Sequence, residues 1–369
     1  SVHSVISRLF TLKVIEDNYC VGRTDCLIES KYWVINSTDC DAHLDNLSGY
    51  VQGKIRALKD SGNQVVQHLA VFGAFFDWIW LHLDPAIFTS LFRLFIAHDF
   101  SKLDHDLLGR FFEVYSQAVN RSQRKALGQY YTPLPIVRFM WYLATVMIPN
   151  KTGNAPLTVL DPGMGSGTFL KEGASWLAKQ HGDFWQRMVG FDISAQVMGI
   201  AQANVYMAVL RELTPAAAKK VSALRLYTTD SLDPRNGRFL NDIAPLFNDD
   251  VHRAFIERTV QVSANIKQKE HFCLIIGNPP YKNNSRITQS EVARRFPRLL
   301  QSSDDAAKAQ HRNIRDDYAW FFAAADHYVQ DSGEICFITS DSYTRKGSYQ
   351  HFREEILRHY TVAALIRLG

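Results

Sequence analysis

The sequence predicts a doubly wound α/β domain, and three observations lead to this fold class. Past Lys151, short runs rich in Val, Ile, Leu and Phe recur, and helical patterns separate them. Strands that alternate with helices form a parallel sheet covered on both faces. Four of the runs end in a polar residue, and ligands of this architecture bind beyond the carboxyl ends of the strands. We therefore expect a binding site at that edge of the sheet.

Six strands are predicted by the apolar runs. In chain order these runs are 157–161, 188–192, 224–230, 272–278, 334–340 and 361–368. The helical patterns between them cover residues 167–180, 194–210, 316–329 and 349–360. The four polar ends are Asp161, Asp192, Asp230 and Asn278.

The chain before this domain has a different texture. Residues 1–40 contain short β-like runs separated by polar turns. Residues 41–125 repeat apolar positions at three- and four-residue spacing with little Gly or Pro, which predicts helices. The Asp84-Pro85 pair indicates a break between two of these helices. We therefore expect a short N-terminal segment, a helical region, and the α/β domain over residues 126–369.

Composition places the chain among ordinary globular proteins. Of its 369 residues 46% are hydrophobic and 21% charged, with a net charge of +4. The five cysteines are odd in number and include no CxxC pair, which favours a reducing, cytoplasmic compartment over disulfides or a zinc site. The most apolar stretch, Val65 to Ala97, is interrupted by charged residues, so we expect buried helices and no membrane span.

A glycine-rich loop, DPGMGSGTF, follows the first predicted strand at 161–169. Its glycines let the backbone turn sharply and approach a ligand. The dinucleotide motif GxGxxG would need glycine where this chain has Thr168, and no phosphate-binding Lys follows. With Asp192 placed to accept from ribose hydroxyls and Asp230 from an adenine amine, the loop indicates a nucleoside ligand. The alternative is a tight turn in which each Asp serves as a helix N-cap.

The fourth strand runs into Asn278-Pro279-Pro280-Tyr281. The Asn278 side chain and the Pro279 carbonyl can supply two hydrogen-bond acceptors in a fixed arrangement, since proline fixes φ. Tyr281 offers an aromatic face on which a planar ring can stack. The alternative is an ordinary turn after a strand.

Three segments carry a resemblance to a known family. The glycine loop resembles motif I of class I S-adenosylmethionine-dependent methyltransferases, and NPPY resembles motif IV of the amino-methyltransferases. Upstream, ALGQYYTPLPIVRFM at 126–140 is similar to motif X of N6-adenine DNA methyltransferases of the gamma arrangement. The likeness extends over about residues 105–369 and is shared with single-chain restriction-modification enzymes and type I modification subunits.

The resemblance implies a reaction and a set of site residues. The reaction is methyl transfer from S-adenosylmethionine to N6 of a flipped-out adenine in DNA, without a metal. The implied catalytic residues are Asn278, Pro279, Pro280 and Tyr281. The implied cofactor contacts are Tyr131, Thr132, Pro133, Asp161, Pro162, Gly163, Gly165, Gly167, Thr168, Phe169, Asp192, Ile193, Asp230 and Ser231.

Basic residues are concentrated just after Tyr281. Residues 282–315 contain eight Lys and Arg against three Asp and Glu. Positive charge beside a base-flipping pocket neutralises phosphates, so double-stranded DNA is the expected partner. The candidate DNA contacts are Lys282, Arg286, Arg294, Arg295 and Arg298. The alternative is a solvated charged face.

The family sheet also has a further, antiparallel strand, and the sequence stops at Gly369 after the sixth apolar run. We therefore expect the last strand to be missing or supplied elsewhere. We also expect either that this chain is part of a longer protein or that a target-recognition domain or subunit comes from another chain. Rival functions are methylation of a protein glutamine or RNA, a non-catalytic cofactor- or DNA-binding module, and nicotinamide oxidoreduction, which Thr168 disfavours. Glu29-Ser30-Lys31 is only a weak hint of a nuclease site.

Overall fold

The computed structural model describes residues 85–98, 132–147, 157–214, 217, 221, 224–236, 250–281, 288–301, 314 and 316–368. The predictions for residues 1–40, and for the Glu29-Ser30-Lys31 hint, lie outside this part of the chain. The predicted boundaries at residues 40 and 125 also fall outside it, so the division into three regions stays a prediction.

Five strands form one sheet. They are β1 (Val159–Asp161), β2 (Met188–Asp192), β3 (Arg225–Thr228), β4 (Phe272–Gly277) and β5 (Val329–Phe337). The sheet order is β3-β2-β1-β4-β5. β1 pairs in parallel with β2 and β4, and β4 pairs in parallel with β5. The doubly wound α/β prediction is therefore confirmed.

The central strands are buried along their whole length. Every residue of β1, β2 and β4 is buried. Parallel strands covered on both faces consist of near-continuous apolar runs, which is the pattern of VLD, MVGFD and FCLIIG. Leu160 pairs with Val189 on one side and Ile275 on the other, so the three strands end at nearly the same level.

Ten helices are described, and several match the predicted patterns. They are α1 (Pro85–Ile96), α2 (Leu134–Met147), α3 (Thr168–Ala178), α4 (Ala195–Arg211), α5 (Asp250–Lys269), α6 (Gln289–Arg295), α7 (Pro297–Leu300), α8 (Asp317–Tyr328), α9 (Ser342–Arg345) and α10 (Gln350–His359). α1 begins at the Pro of the predicted Asp-Pro break, as proline favours the first helical turn. Within the described residues, no helix has the length and apolarity to cross a bilayer.

The chain forms two compact units. Of the described residues, the first unit contains 85–98, 165–186 and 195–226, and the second contains the remaining parts. The second unit holds an apolar core of buried residues from β1, β2, β4 and helices α5 to α8. In this core the Tyr318 ring stacks on Tyr349 at 6.1 Å. Trp320 Nε1 donates to the carbonyl of Ile314 at 3.2 Å.

In the first unit α3 and α4 pack closely, and Gly167 makes this approach possible. Gly167 precedes α3 with φ of 79°, in the left-handed region. A Cβ at this position would lie 2.9 Å from the side chain of Val205 and 3.2 Å from the carbonyl oxygen of Ala201. Asn204 Nδ2 also donates to the carbonyl of Ser166 at 2.8 Å. The glycine is therefore required both by its backbone conformation and by the lack of space.

The prediction of a strand at 361–368 is wrong. This segment contains no helix or strand, and Val362, Leu365, Ile366 and Leu368 are each at least half exposed. Apolar content indicates a surface that can pack, but a strand also needs a neighbour with which to pair. The strand predicted at 334–340 instead covers Val329–Phe337, and a register irregularity lies between Phe272 and Leu274 of its partner strand.

We expect Gly167→Ala to lower the free energy of unfolding by about 2–4 kcal/mol, since it combines a left-handed backbone with a steric clash. Chemical denaturation measures the change. Gly182→Ala is the matched control, because a Cβ there meets nothing within 4 Å. Equal stability of the two variants would contradict this account of Gly167.

Candidate active site

Four polar residues follow the carboxyl ends of four neighbouring strands. The sheet order places Asp230, Asp192, Asp161 and Asn278 in a row after β3, β2, β1 and β4. The ends of β2 and β3 are joined directly, as Thr229 N–H donates to the carbonyl of Asp192 at 2.8 Å. The predicted ligand edge is thus an edge of polar side chains.

Asp161 is fully buried and only half satisfied. Its Oδ1 accepts from Gly163 N–H at 3.1 Å, while Oδ2 has no hydrogen-bond partner among the described residues. Burial raises the pKa of Asp161 to about 8; the Gly163 N–H lowers it and the charge of Asp192 raises it further. A buried polar atom without a partner is costly, and a ligand that brings an N–H or O–H group would give this oxygen a donor and favour the ionised carboxylate.

Gly277 leaves the space that the Asp161 carboxylate occupies. A Cβ at Gly277 would lie 2.7 Å from Asp161 Oδ1. The last residue of β4 therefore has to be glycine for the carboxylate of the neighbouring strand to keep its position. Sequence reasoning did not single out this glycine; its signal is its place directly before Asn278.

The two other carboxylates fix the loops that follow their strands. Asp192 Oδ1 accepts from Ser194 N–H at 2.8 Å, and the intervening Ile193 is 57% exposed. Asp230 Oδ1 accepts from Leu232 N–H at 2.9 Å. Each carboxylate thus also stabilises a turn, and neither accepts from an N–H group of a described helix, so the helix N-cap alternative is wrong for these two bonds.

Ser231 joins the loop after β3 to the loop after β1. Its hydroxyl donates to the carbonyl of Pro162 at 2.5 Å. On the same segment Met164 N–H donates to the carbonyl of Phe191 at 2.9 Å. A Cβ built on Gly163 would lie 3.6 Å from the ring of Phe321 and 4.0 Å from Pro279 Cα, so the start of the glycine loop lies beside NPPY.

The remaining residues of the glycine loop begin α3. Gly165 and Gly167 have φ of 52° and 79°, which only glycine adopts readily. Thr168 and Phe169 are buried in the first helical turn, and the Thr168 and Ser166 hydroxyls lie 3.1 Å apart.

Asn278 is held by hydrogen bonds at both ends of its amide. Its Nδ2 donates to Thr132 Oγ1 at 2.9 Å, and its Oδ1 accepts from Tyr281 Oη at 2.6 Å. Thr132 is buried and directly precedes Pro133 and α2. Thr132 Oγ1 thus accepts from the amide nitrogen and leaves Oδ1 to act as the acceptor, a contact that the sequence did not reveal.

The candidate DNA contacts divide into three groups. Lys282 and Arg286 lie outside the described residues, as does Tyr131. Arg294 is exposed. Arg295 forms an ion pair with Asp233 at 3.6 Å, and Arg298 donates from Nε to the carboxylate of Asp326 at 2.8 and 2.9 Å. Arg295 and Arg298 therefore have internal partners, and contact of this group with DNA stays a prediction.

Lys267 on α5 is a buried cation that sequence reasoning missed. It is 1% exposed, and its ammonium donates to the carbonyls of Asp230 and Asp233 at 2.6 and 2.8 Å. From the sequence alone, a lysine in the last turn of a helix is expected to face solvent, because Lys is rarely buried without partners.

Two family models match the chain. Residues 103–232 match the N-6 DNA methylase model, and residues 186–369 match the Eco57I restriction-modification methylase model. Together, an N-6 DNA methylase domain match and a restriction-modification methylase domain match cover residues 103–369. The resemblance seen in the glycine loop and NPPY is therefore confirmed. No curated protein matches the methylase chain in sequence.

Solved structures share the fold of the methylase. A DrdV–DNA complex is 20% identical, with a TM-score of 0.56 over 97% of this chain and 34% of that one. The type ISP enzyme LlaGI, a nuclease-deletion mutant with a DNA substrate mimic, is 13% identical with a TM-score of 0.54; the match covers 98% of this chain and 29% of that one. LlaBIII, a type ISP enzyme bound to DNA, is 15% identical with a TM-score of 0.54 over 96% and 22% of the two chains. The methylase chain thus spans about a third or less of the length of these proteins.

We expect Asp161→Asn to stabilise the ligand-free protein increasingly as pH rises. Between the ordinary pKa of 3.8 and the folded value of about 8, the folded state keeps a proton that the unfolded chain releases. Raising the pH therefore favours unfolding, by at most about 1.4 kcal/mol per pH unit, and the amide removes this dependence. Melting temperatures of the two proteins across this pH range measure the difference; a constant gap would show that Asp161 stays ionised.

Proposed function

We propose that this methylase transfers a methyl group from S-adenosylmethionine to N6 of an adenine that has been flipped out of double-stranded DNA. The observation that carries the proposal is the Asn278 amide at the end of β4, fixed by Thr132 beside the glycine loop. The family descriptions, which name DNA and N-6 methylation, support the same reaction.

Asn278 and Pro279 would prepare the amine for attack. The Asn278 Oδ1 accepts one N–H of the adenine amine, and the Pro279 carbonyl accepts the other. With both N–H groups engaged, the nitrogen lone pair is directed at the methyl group. Most of the rate enhancement then comes from orientation and electrostatics, since the amine only gains a methyl group and releases a proton.

Tyr281 forms a hydrogen bond with Asn278 Oδ1, the same acceptor that the adenine amine would use. Its hydroxyl donates to Asn278 Oδ1 in the structure. An entering base therefore exchanges one hydrogen bond for another while the Tyr281 ring becomes available for stacking. This exchange keeps the Asn278 acceptor satisfied when no base is bound, and it limits the cost of the empty site.

The residues present fit the proposed cofactor. Its amino group, ribose hydroxyls and adenine amine are all donors, and the edge supplies three carboxylates, one of them with the unpartnered buried oxygen of Asp161. Asp192 would accept from the ribose hydroxyls and Asp230 from the adenine amine, while Tyr131, Thr132 and Pro133 would cover the methionine end. When bound, the sulfonium supplies an electrophilic methyl group.

DNA and a recognition part are the proposed partners. Three structures with the same fold are described as bound to DNA or to a DNA substrate mimic. The chain spans only part of those proteins, so we propose that a domain or subunit outside this chain selects the target sequence. The same acceptor pair could serve a protein glutamine or an RNA base, and the product analysis below separates these substrates.

The decisive experiment is transfer from isotopically labelled S-adenosylmethionine to unmethylated DNA, with digestion to nucleosides and mass spectrometry. We expect labelled N6-methyladenine, and a loss of at least about 100-fold in Asn278→Ala because an acceptor used in the transition state is gone. Cofactor affinity, measured in the same samples, should be unchanged. Label in protein or RNA instead of DNA would overturn the proposed substrate.

Two substitutions at Tyr281 separate its ring from its hydroxyl. Tyr281→Phe keeps the stacking face, so we expect methylation of DNA within about fivefold of the parent rate. Tyr281→Ala removes the face and should reduce kcat/KM by about 10- to 100-fold. Steady-state rates on one DNA duplex measure both, and a Phe variant as slow as the Ala variant would mean that the hydroxyl itself takes part.

A further inference from the structure

Side chains donate hydrogen bonds to four successive carbonyl groups of the loop after β3. In residues 230–233, Lys267 Nζ donates to the first and fourth carbonyl oxygens at 2.6 and 2.8 Å. Tyr328 Oη donates to the second at 2.8 Å, and Arg295 donates to the third at 3.0 Å. Three helices, α5, α6 and α8, thus fix four successive peptide groups of the segment that carries Asp230.

Lys267 is the most completely engaged of these donors. Its third N–H reaches the side-chain oxygen of Asn236, so three acceptors use all three protons of the ammonium. Asn236 is itself fixed, since its Nδ2 donates to Ser263 Oγ at 2.8 Å and its φ is 55°. The ammonium also lies 5.6 Å from the centre of the Phe191 ring. A buried charge persists only where partners replace its hydration in this way.

The charges around Lys267 balance one another. The titratable groups around it are the carboxyl groups of Asp230 and Asp233, the Arg295 guanidinium and the Tyr328 hydroxyl. Burial raises the pKa of Asp230, whereas the Leu232 N–H and the ammonium lower it. Without the ammonium, the Asp230 carboxylate would lose both its nearest compensating charge and the anchor of its backbone.

We propose that Lys267 is a positioning residue that gives the cofactor site its preference for a 6-aminopurine over a 6-oxopurine. It does so by fixing the loop and by keeping Asp230 an ionised acceptor, which favours an adenine amine and opposes a purine carbonyl oxygen. The inference rests on the proposed function, which assigns Asp230 to the adenine of the cofactor.

The test measures the binding of two probes, S-adenosylhomocysteine and its 6-oxo analogue S-inosylhomocysteine, by calorimetry. The proteins are the parent chain, Lys267→Gln, Lys267→Arg and Lys269→Met. Gln keeps a donor without the charge, Arg keeps the charge, and Lys269 is an exposed lysine of the same helix that serves as the control.

The preference is the ratio of the affinity for S-adenosylhomocysteine to that for S-inosylhomocysteine. We expect this ratio to fall at least about tenfold in the Gln variant, which corresponds to the loss of one charge-assisted hydrogen bond. The Arg variant should retain most of the preference, and the Lys269 control should retain all of it. A purely structural lysine would weaken both probes equally. An unchanged ratio in the Gln variant therefore overturns the inference, whereas a parent protein that binds neither probe overturns the proposed function instead.

A second readout compares the pH dependence of binding in the parent protein with that in the Lys267→Arg variant. Burial lowers the pKa of Lys267 to about 7 while both carboxylates oppose the change. As pH rises from about 6 to about 8, a neutral amine with two N–H groups would replace an ammonium with three, so affinity for S-adenosylhomocysteine should fall. In the Arg variant the side chain stays charged and this fall should be absent; a parallel fall in both proteins contradicts the role of Lys267.

Discussion

The parallel pairing of β1 with both β2 and β4 is the constraint on which the site depends. Because Leu160 is in register with Val189 and Ile275, the three strands deliver their carboxyl ends to one level. The register of the strands thus brings polar residues that are far apart in the chain to the same edge of the sheet. The arrangement also requires Gly277 to carry no side chain, since the Asp161 carboxylate fills that volume. A buried acceptor and the amide of Asn278 are thereby neighbours through backbone geometry alone.

This edge concentrates acceptors in a place with little water. The pKa of Asp161 is raised by its burial and by the charge of Asp192, and its Oδ2 has no donor among the described residues. Such a site is unfavourable when empty and becomes favourable with a ligand rich in N–H and O–H groups. The electrostatics of this edge therefore favour ligands with many N–H and O–H donors, independently of shape complementarity.

Sequence reasoning located the strand ends where its signal was local. A polar residue at the end of an apolar run is visible in the chain, so Asp161 and Asn278 lie at strand ends as predicted, and their roles in a site stay a prediction. Lys267 and its partners could not be predicted, because its acceptors lie 31 to 37 residues upstream and only the folded structure brings them to the ammonium.

The errors and omissions have equally physical causes. Residues 361–368 have strand-like composition, but pairing with a neighbour decides whether a strand forms. The DNA contacts in the basic stretch after Tyr281 stay a prediction, and Arg295 and the half-exposed Arg298 each also pair with a carboxylate of this chain. Net charge along a sequence cannot distinguish an arginine that faces solvent from one that neutralises a nearby carboxylate.

The side-chain hydrogen bonds to the four carbonyl groups of residues 230–233 also bear on how the protein folds. Its donors come from three helices, and Tyr328 stands 97 residues after the peptide that it holds. Closing chain segments of that length is entropically expensive and follows the assembly of local structure. The loop therefore acquires its final shape only after the helices have docked. Ligand affinity would therefore measure whether folding is complete. A chain that has formed its sheet but has not yet packed these helices would lack the fixed loop that carries Asp230.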